Sequence, residues 1–196
     1  MRIALAEKGL PFALVTEVPW DSTTTVPRHN PLEKLPVLLL PDGGSVHESS
    51  YILPWLELKH PEPPLLPPDP DGILTARRFE VLCDGICDAV VLTFFERHRA
   101  AGAQSEPRLA RQRRKIDGGL AEIARLLGDR DWTVGDGFTL GDIAAGTVVG
   151  YLAVRFPELD WRARHPNLAR LSDRLEARPA FRDSVPYAQT ITDRVV

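Results

Sequence analysis

Six of the chain's 18 prolines fall between Pro61 and Pro70, in the run PEPPLLPPDP. Each proline fixes its own φ and removes a backbone donor, so this stretch can neither continue a helix nor join a central strand. It reads as a stiff, extended connection. A chain of 196 residues divided there is predicted to hold two domains, residues 1–61 and 71–196, with 62–70 as the linker. Charge changes across the same point: 5 basic and 9 acidic residues precede it, against 19 and 18 after it. The chain is long enough to bury a sizeable core.

The first part mixes short helical and strand patterns. Arg2 to Lys8 has helical periodicity, and Gly9 follows as a C-terminal stop. Phe12–Val18 reads as a strand, and Trp20–His29, polar and rich in threonine, as a loop. Pro36–Leu40 is a continuous apolar run of the kind found in strands buried on both faces. The turn PDGG then leads into a short returning strand at Ser45–His47, and Ser49 or Ser50 can cap a helix reaching about His60. Beyond the linker everything is predicted helical, with starts at Asp71, Ser105, Thr139 and Pro166 and a short last helix after Pro179. The fold class is therefore a small α/β domain followed by an all-α domain.

Composition narrows the function. With 24 Lys and Arg against 27 Asp and Glu, the net charge of −3 argues against a nucleic-acid partner held by counterion release. No apolar run approaches the roughly 20 residues that span a bilayer, so no membrane association and a cytoplasmic location are expected. Cys83 and Cys87, the chain's only two cysteines, cannot build a disulfide framework and are predicted to be buried, reduced thiols. The five histidines lack metal-binding spacing, and no metal is expected. Nucleophile-elbow, Walker and dinucleotide-binding motifs are absent, which argues against the common hydrolases, nucleotidases and dehydrogenases. The basic run Arg111–Lys115 scatters around a helix and reads as a solvated face.

Three local patterns remain. In FTLGDIAA, Thr139 and Asp142 stand at the N-cap and N3 positions of a capping box, a structural role with no chemistry in it. Leu35-Pro36 opens the apolar strand; composition favours an ordinary trans proline, whereas a cis bond would turn the Leu35 backbone outward for a ligand. Glu48-Ser49 marks a helix start, where free N–H donors and a hydroxyl suit a carboxylate and the glutamate suits an ammonium. A plain cap beside a solvated glutamate has the same sequence.

Taken in order, IALAEKGLPF, NPLEKLPVL, the DGG turn, ESSYIL, the proline linker, CDGICDAVV, FTLGDIAA and HPNLARLSDRLEARPAF resemble the cytosolic glutathione transferase family, notably its small bacterial members. The resemblance runs from Met1 to about Ser184. It implies a thioredoxin-like N-terminal domain, an all-helical C-terminal domain, a homodimer and glutathione as co-substrate. It implies a cis Pro36, a Leu35 backbone paired with the cysteinyl part of glutathione, Glu48 and Ser49 on its γ-glutamyl end, and Lys34 near its glycyl carboxylate.

Members of the family open with a β-strand and a short loop carrying the catalytic Ser, Cys or Tyr. This sequence begins at Met1 inside the helix that follows, so the catalytic residue is expected upstream of Met1. The function implied is conjugation or reduction of small hydrophobic electrophiles, with isomerase or dehalogenase chemistry as variants. A non-catalytic binding or regulatory protein on the same scaffold is the alternative, because scaffolds are reused without their chemistry.

Overall fold

The computed structural model describes residues 1–193. Its chain falls into two units, Met1–Pro64 joined by the segment that begins at Gln189, and Leu65–Ala188.

In the first unit α1 (Arg2–Glu7) buries Ile3, Ala4 and Leu5. It ends as the sequence indicates: Gly9 takes φ +65°, Gly9 N–H donates to the Ala6 carbonyl and Leu10 N–H to that of Leu5. Those paired bonds satisfy helix-end carbonyls that would otherwise be orphaned, and only glycine enters this conformation without strain. Lys8 follows with a fully buried side chain. Its Nζ sits 2.7 Å from Glu57 Oε1 and donates to the carbonyls of His60 (2.8 Å) and Pro63 (2.9 Å). The one cation thus ties α1 to the end of α2 (Ser49–Lys59) and to the proline-rich segment.

The sheet is a hairpin, β1 (Val37–Leu39) antiparallel to β2 (Ser45–His47), with Val37 opposite His47 and Leu39 opposite Ser45. Gly43, at φ +86°, makes the turn between them. The strand expected over Phe12–Val18 does not form. A strand exists only where a neighbour supplies ladder partners; β1 and β2 pair with each other along one edge each, and among the described residues no third segment joins them. Leu14 and Val15 are consequently 57% and 69% exposed. The threonine-rich loop after them is organised by Glu17, whose carboxylate accepts from Thr25 Oγ1 (2.6 Å), Thr24 Oγ1 (2.8 Å) and Thr25 N–H (3.2 Å). Hydrogen bonds from Thr25 and Thr24 hold that carboxyl below its ordinary range.

The second unit is helical throughout: α3 (Pro70–His98), α4 (Glu106–Leu127), α5 (Leu140–Arg155), α6 (Trp161–Arg164), α7 (Pro166–Glu176) and α8 (Pro179–Arg182). The cap of α3 is Asp69 rather than Asp71, its carboxylate accepting from Gly72 N–H at 2.7 Å. Proline suits the first helical position because the N–H it lacks would be unpaired there anyway, so Pro70 moves the helix start forward. The short α6 has no apolar periodicity to announce it. Phe79, Ile86 and Val90 of α3, Ile116, Leu120 and Ile123 of α4, and Leu140, Val148 and Leu152 of α5 are all buried. Gly119 lets α4 meet α3 closely, since a Cβ there would lie 2.5 Å from Ile86 Cγ1. Asn167 at the start of α7 donates to the carbonyls of Ala124 and Gly128, at 2.8 and 2.9 Å, closing the end of α4.

The capping box of α5 is present. Asp142 Oδ2 accepts from Thr139 N–H (2.8 Å) and Thr139 Oγ1 (3.0 Å), while Oδ1 accepts from Thr133 N–H (2.8 Å). The carboxylate is fully buried, and burial pushes its pKa above the ordinary value although the threonine donors pull it back. Leu140 N–H donates to the Leu65 carbonyl at 2.7 Å, fastening the proline-rich segment to this helix start.

Candidate functional site

The register of the hairpin sets the geometry of the site. Because Val37 pairs with His47, residues entering β1 run beside residues leaving β2. Leu35-Pro36 and Glu48-Ser49, 12 or more positions apart in sequence, are therefore brought to one end of the ladder. The Leu35-Pro36 bond is cis. Leu35 is 43% exposed, and among the described residues neither its N–H nor its C=O has a hydrogen-bond partner. Lys34 beside it is exposed, with no carboxylate on its ammonium among the described residues.

Glu48 stands at φ 66°, ψ 132°, a backbone region that glycine favours. For a residue with a Cβ this costs of the order of 1–3 kcal/mol, and such strain persists where the surroundings over-determine it. Here the Glu48 carbonyl accepts from Tyr51 N–H (3.1 Å) and Ile52 N–H (2.9 Å), so its strained backbone opens α2. No side chain caps that helix. Among the described residues the N–H groups of Ser49 and Ser50 have no acceptor, and they add to the positive end of the helix dipole. Donors of this kind, with the Ser49 hydroxyl, suit a carboxylate; the half-buried Glu48 carboxylate suits an ammonium.

Asn30 is the residue of the site that the sequence reading missed. It is completely buried. Its Nδ2 donates to the Lys34 carbonyl at 2.9 Å and reaches Glu48 Oε1 at 3.5 Å, while its Oδ1 accepts from Leu32 N–H at 2.9 Å. One amide thus shapes the loop that carries Lys34 and Leu35 and connects it to Glu48. The available signal was Asn30-Pro31 itself, since an asparagine whose side chain bonds the backbone two residues on is a recurrent turn former. From the adjacent strand Ser45 Oγ donates to the His29 carbonyl at 2.9 Å, fixing the loop to β2 as well.

The remaining candidates lie elsewhere. Thr139 and Asp142 belong to the helical unit and serve the start of α5. Cys83 and Cys87 are free, and burial raises both thiols, Cys87 to about 12. Neither is a thiolate near neutral pH, and a thiol is a poor nucleophile. Arg111, Arg114 and Lys115 are exposed, while Arg113 pairs with Asp117 at 2.9 Å. Among the described residues no group of three potential metal ligands occurs, and no helix is long and apolar enough to cross a membrane.

Residues 1–59 match the family model of the glutathione S-transferase N-terminal domain, and residues 106–174 that of the glutathione S-transferase C-terminal domain. The chain belongs to the glutathione S-transferase family. It is 36% identical over 186 residues to the uncharacterized GST-like protein YibF of Escherichia coli K12, covering 95% of this chain and 92% of that one. To the maleylacetoacetate isomerase of Pseudomonas aeruginosa it is 32% identical over 203 residues, covering 98% and 92%. The crystal structure of a glutathione S-transferase from Methylobacterium radiotolerans, in complex with glutathione sulfonate, superposes with a TM-score of 0.98 at 88% identity. That match covers 100% of this chain and 92% of the other.

Proposed function

We propose that this protein binds glutathione at the end of its hairpin and serves its reaction with small hydrophobic electrophiles, by conjugation or reduction. Glu48 takes the γ-glutamyl ammonium, and Ser49 takes the γ-glutamyl carboxylate with its hydroxyl and the free N–H groups of α2. The Leu35 backbone, ahead of Pro36, pairs with the cysteinyl peptide unit, and Lys34 lies toward the glycyl carboxylate. The observation that carries this reading is the hairpin register, which sets an unpaired peptide edge beside an uncapped helix start and a strained glutamate. The glutathione sulfonate complex of the Methylobacterium radiotolerans protein supports it. The working form is a cytoplasmic homodimer.

Calorimetry tests the site. Charge-assisted bonds contribute roughly 1.5–3 kcal/mol each, so Ser49→Ala should weaken glutathione about tenfold or more. Glu48→Gln should weaken it comparably. Affinity unchanged in both variants would remove the site.

A second reading is a non-catalytic binding or regulatory protein on the same scaffold, because scaffolds are reused without their chemistry. Turnover of a chlorinated aromatic with glutathione separates the two. Binding without measurable conjugation supports the second.

A further inference from the structure

The end of the described chain does not stay with the helices. From Gln189 onward it belongs to the first unit, where it runs beside Glu17–Ser22 in the same direction. Gln189 Nε2 donates to the Glu17 carbonyl at 3.3 Å. Further along, the backbone N–H groups of Thr192 and Asp193 donate to Asp21 Oδ1 at 3.0 and 3.2 Å. Asp193 answers in kind, its Oδ2 accepting from Ser22 N–H at 2.6 Å. Two aspartates thus exchange backbone donors between segments about 170 positions apart in the chain.

This segment is latched onto the fold without being built into its core. None of residues 189–193 is buried, Thr190 and Thr192 are exposed, and half-buried Ile191 is the only apolar residue among them. Both latching groups are carboxylates, so the contact brings like charges together. A segment held by a few exposed bonds and little apolar surface opens at far lower free energy than the fold as a whole. Docked and undocked strap are therefore two accessible states.

What the strap holds leads to the glutathione site. Asp21 sits in a turn, its N–H donating to the Val18 carbonyl and its carbonyl accepting from Thr24 N–H, at 3.0 Å each. Glu17, beside Gln189, holds Thr24 and Thr25 on its carboxylate. The Thr25 carbonyl accepts from Arg28 N–H at 3.0 Å, and the Val26 carbonyl accepts from Asn30 N–H at 2.9 Å. Asn30 is the buried amide that fixes the Lys34 carbonyl. Every link lies in the first unit.

We propose that Gln189–Asp193 is a regulatory strap for the glutathione site. Docked on Glu17–Ser22, it holds the loop that presents Asn30, Lys34 and Leu35; undocked, it lets that loop relax and weakens glutathione. The proposal rests on the glutathione reading of that site. Linkage makes the effect reciprocal: the factor by which undocking weakens glutathione is the factor by which bound glutathione favours docking.

Amide hydrogen exchange of the full chain reads docking, and calorimetry reads glutathione affinity. Saturating glutathione should slow exchange at Ser22, Thr192 and Asp193 about fivefold or more, the low end of typical couplings. A Gln189→Ala, Asp193→Ala double variant changes strap side chains alone. It should speed exchange at Thr192, whose own acceptor Asp21 is intact, and weaken glutathione by about the factor seen in the exchange experiment. Asp21→Ala releases the strap from the loop side and should weaken glutathione equally. Combining all three changes should add nothing, because either set already undocks the strap. Glutathione that binds the parent without slowing Thr192 exchange would overturn the strap and leave the site reading standing. So would a variant with faster Thr192 exchange and the parent's affinity. Thr192 exchange unmoved in both variants would show that the carboxylates do not latch the segment, which also overturns the proposal. A parent that binds no glutathione would overturn the site reading, and the strap's role with it.

Discussion

Replacing Asn30 should disable the candidate site without touching a residue that meets the ligand. Its amide makes two well-formed bonds, to the Lys34 carbonyl and from Leu32 N–H, at 2.9 Å each. The side chain is completely buried, so water does not readily replace it. In Asn30→Ala both backbone groups lose their partner. Each buried unsatisfied group costs about 1–3 kcal/mol, and the loop can relax toward solvent, so a loss of about 2–3 kcal/mol is expected. Asn30→Asp discriminates between packing and donation. It keeps the shape and the acceptor for Leu32 N–H but sets a carboxylate oxygen against the Lys34 carbonyl and within about 3.5 Å of Glu48 Oε1. The near-isosteric change should therefore be at least as damaging as the truncation at neutral pH. Thermal melts report the stability and calorimetry the glutathione affinity, which should fall with it as the Lys34–Leu35 backbone loosens. An Asn30→Asp protein that melts and binds like the parent would refute the donor role of Asn30.

Other perturbations separate scaffold from site. Thr139→Ala or Asp142→Ala should each lower stability by about 0.5–2 kcal/mol with glutathione affinity nearly untouched; a variant that keeps its melting temperature but loses binding would contradict this. Gly119→Ala places a methyl 2.5 Å from Ile86 Cγ1, and forcing the two helices apart should cost about 1–3 kcal/mol in chemical denaturation; pairing it with Ile86→Val should recover part of the loss. Glu17 carries a pH signature. Its folded carboxyl is held below the ordinary value of 4.5, so its contribution is present in full above that value and lost as pH falls through the lower folded value. The melting-temperature gap between the parent and Glu17→Gln should therefore be widest near neutrality and close on acidification; a gap independent of pH would exclude the ionised form.

The sequence by itself determined what local chemistry controls. Gly9 ends α1 because only a residue without a Cβ takes its φ cheaply, and Thr139 with Asp142 starts α5 because both sides of the capping box lie within one turn. The DGG turn closes the hairpin for the same local reason. The pattern of motifs in order was also enough to indicate the two domain types, and Leu35, Pro36, Glu48 and Ser49 were legible as candidates. Tertiary structure alone decided what depends on distant partners. Phe12–Val18 has the composition of a strand, but ladder bonds come from a neighbour and no composition supplies one. Asn30 becomes part of the site only because folding puts its amide between Lys34 and Glu48, which lie 14 positions apart in the chain. Lys8, an ordinary surface residue by type, is buried because Glu57 and two carbonyls from the far side of α2 converge on it. A side chain's polarity is written in the sequence, but whether it is spent on solvent, on a ligand or on another segment is settled by which groups the fold leaves without water.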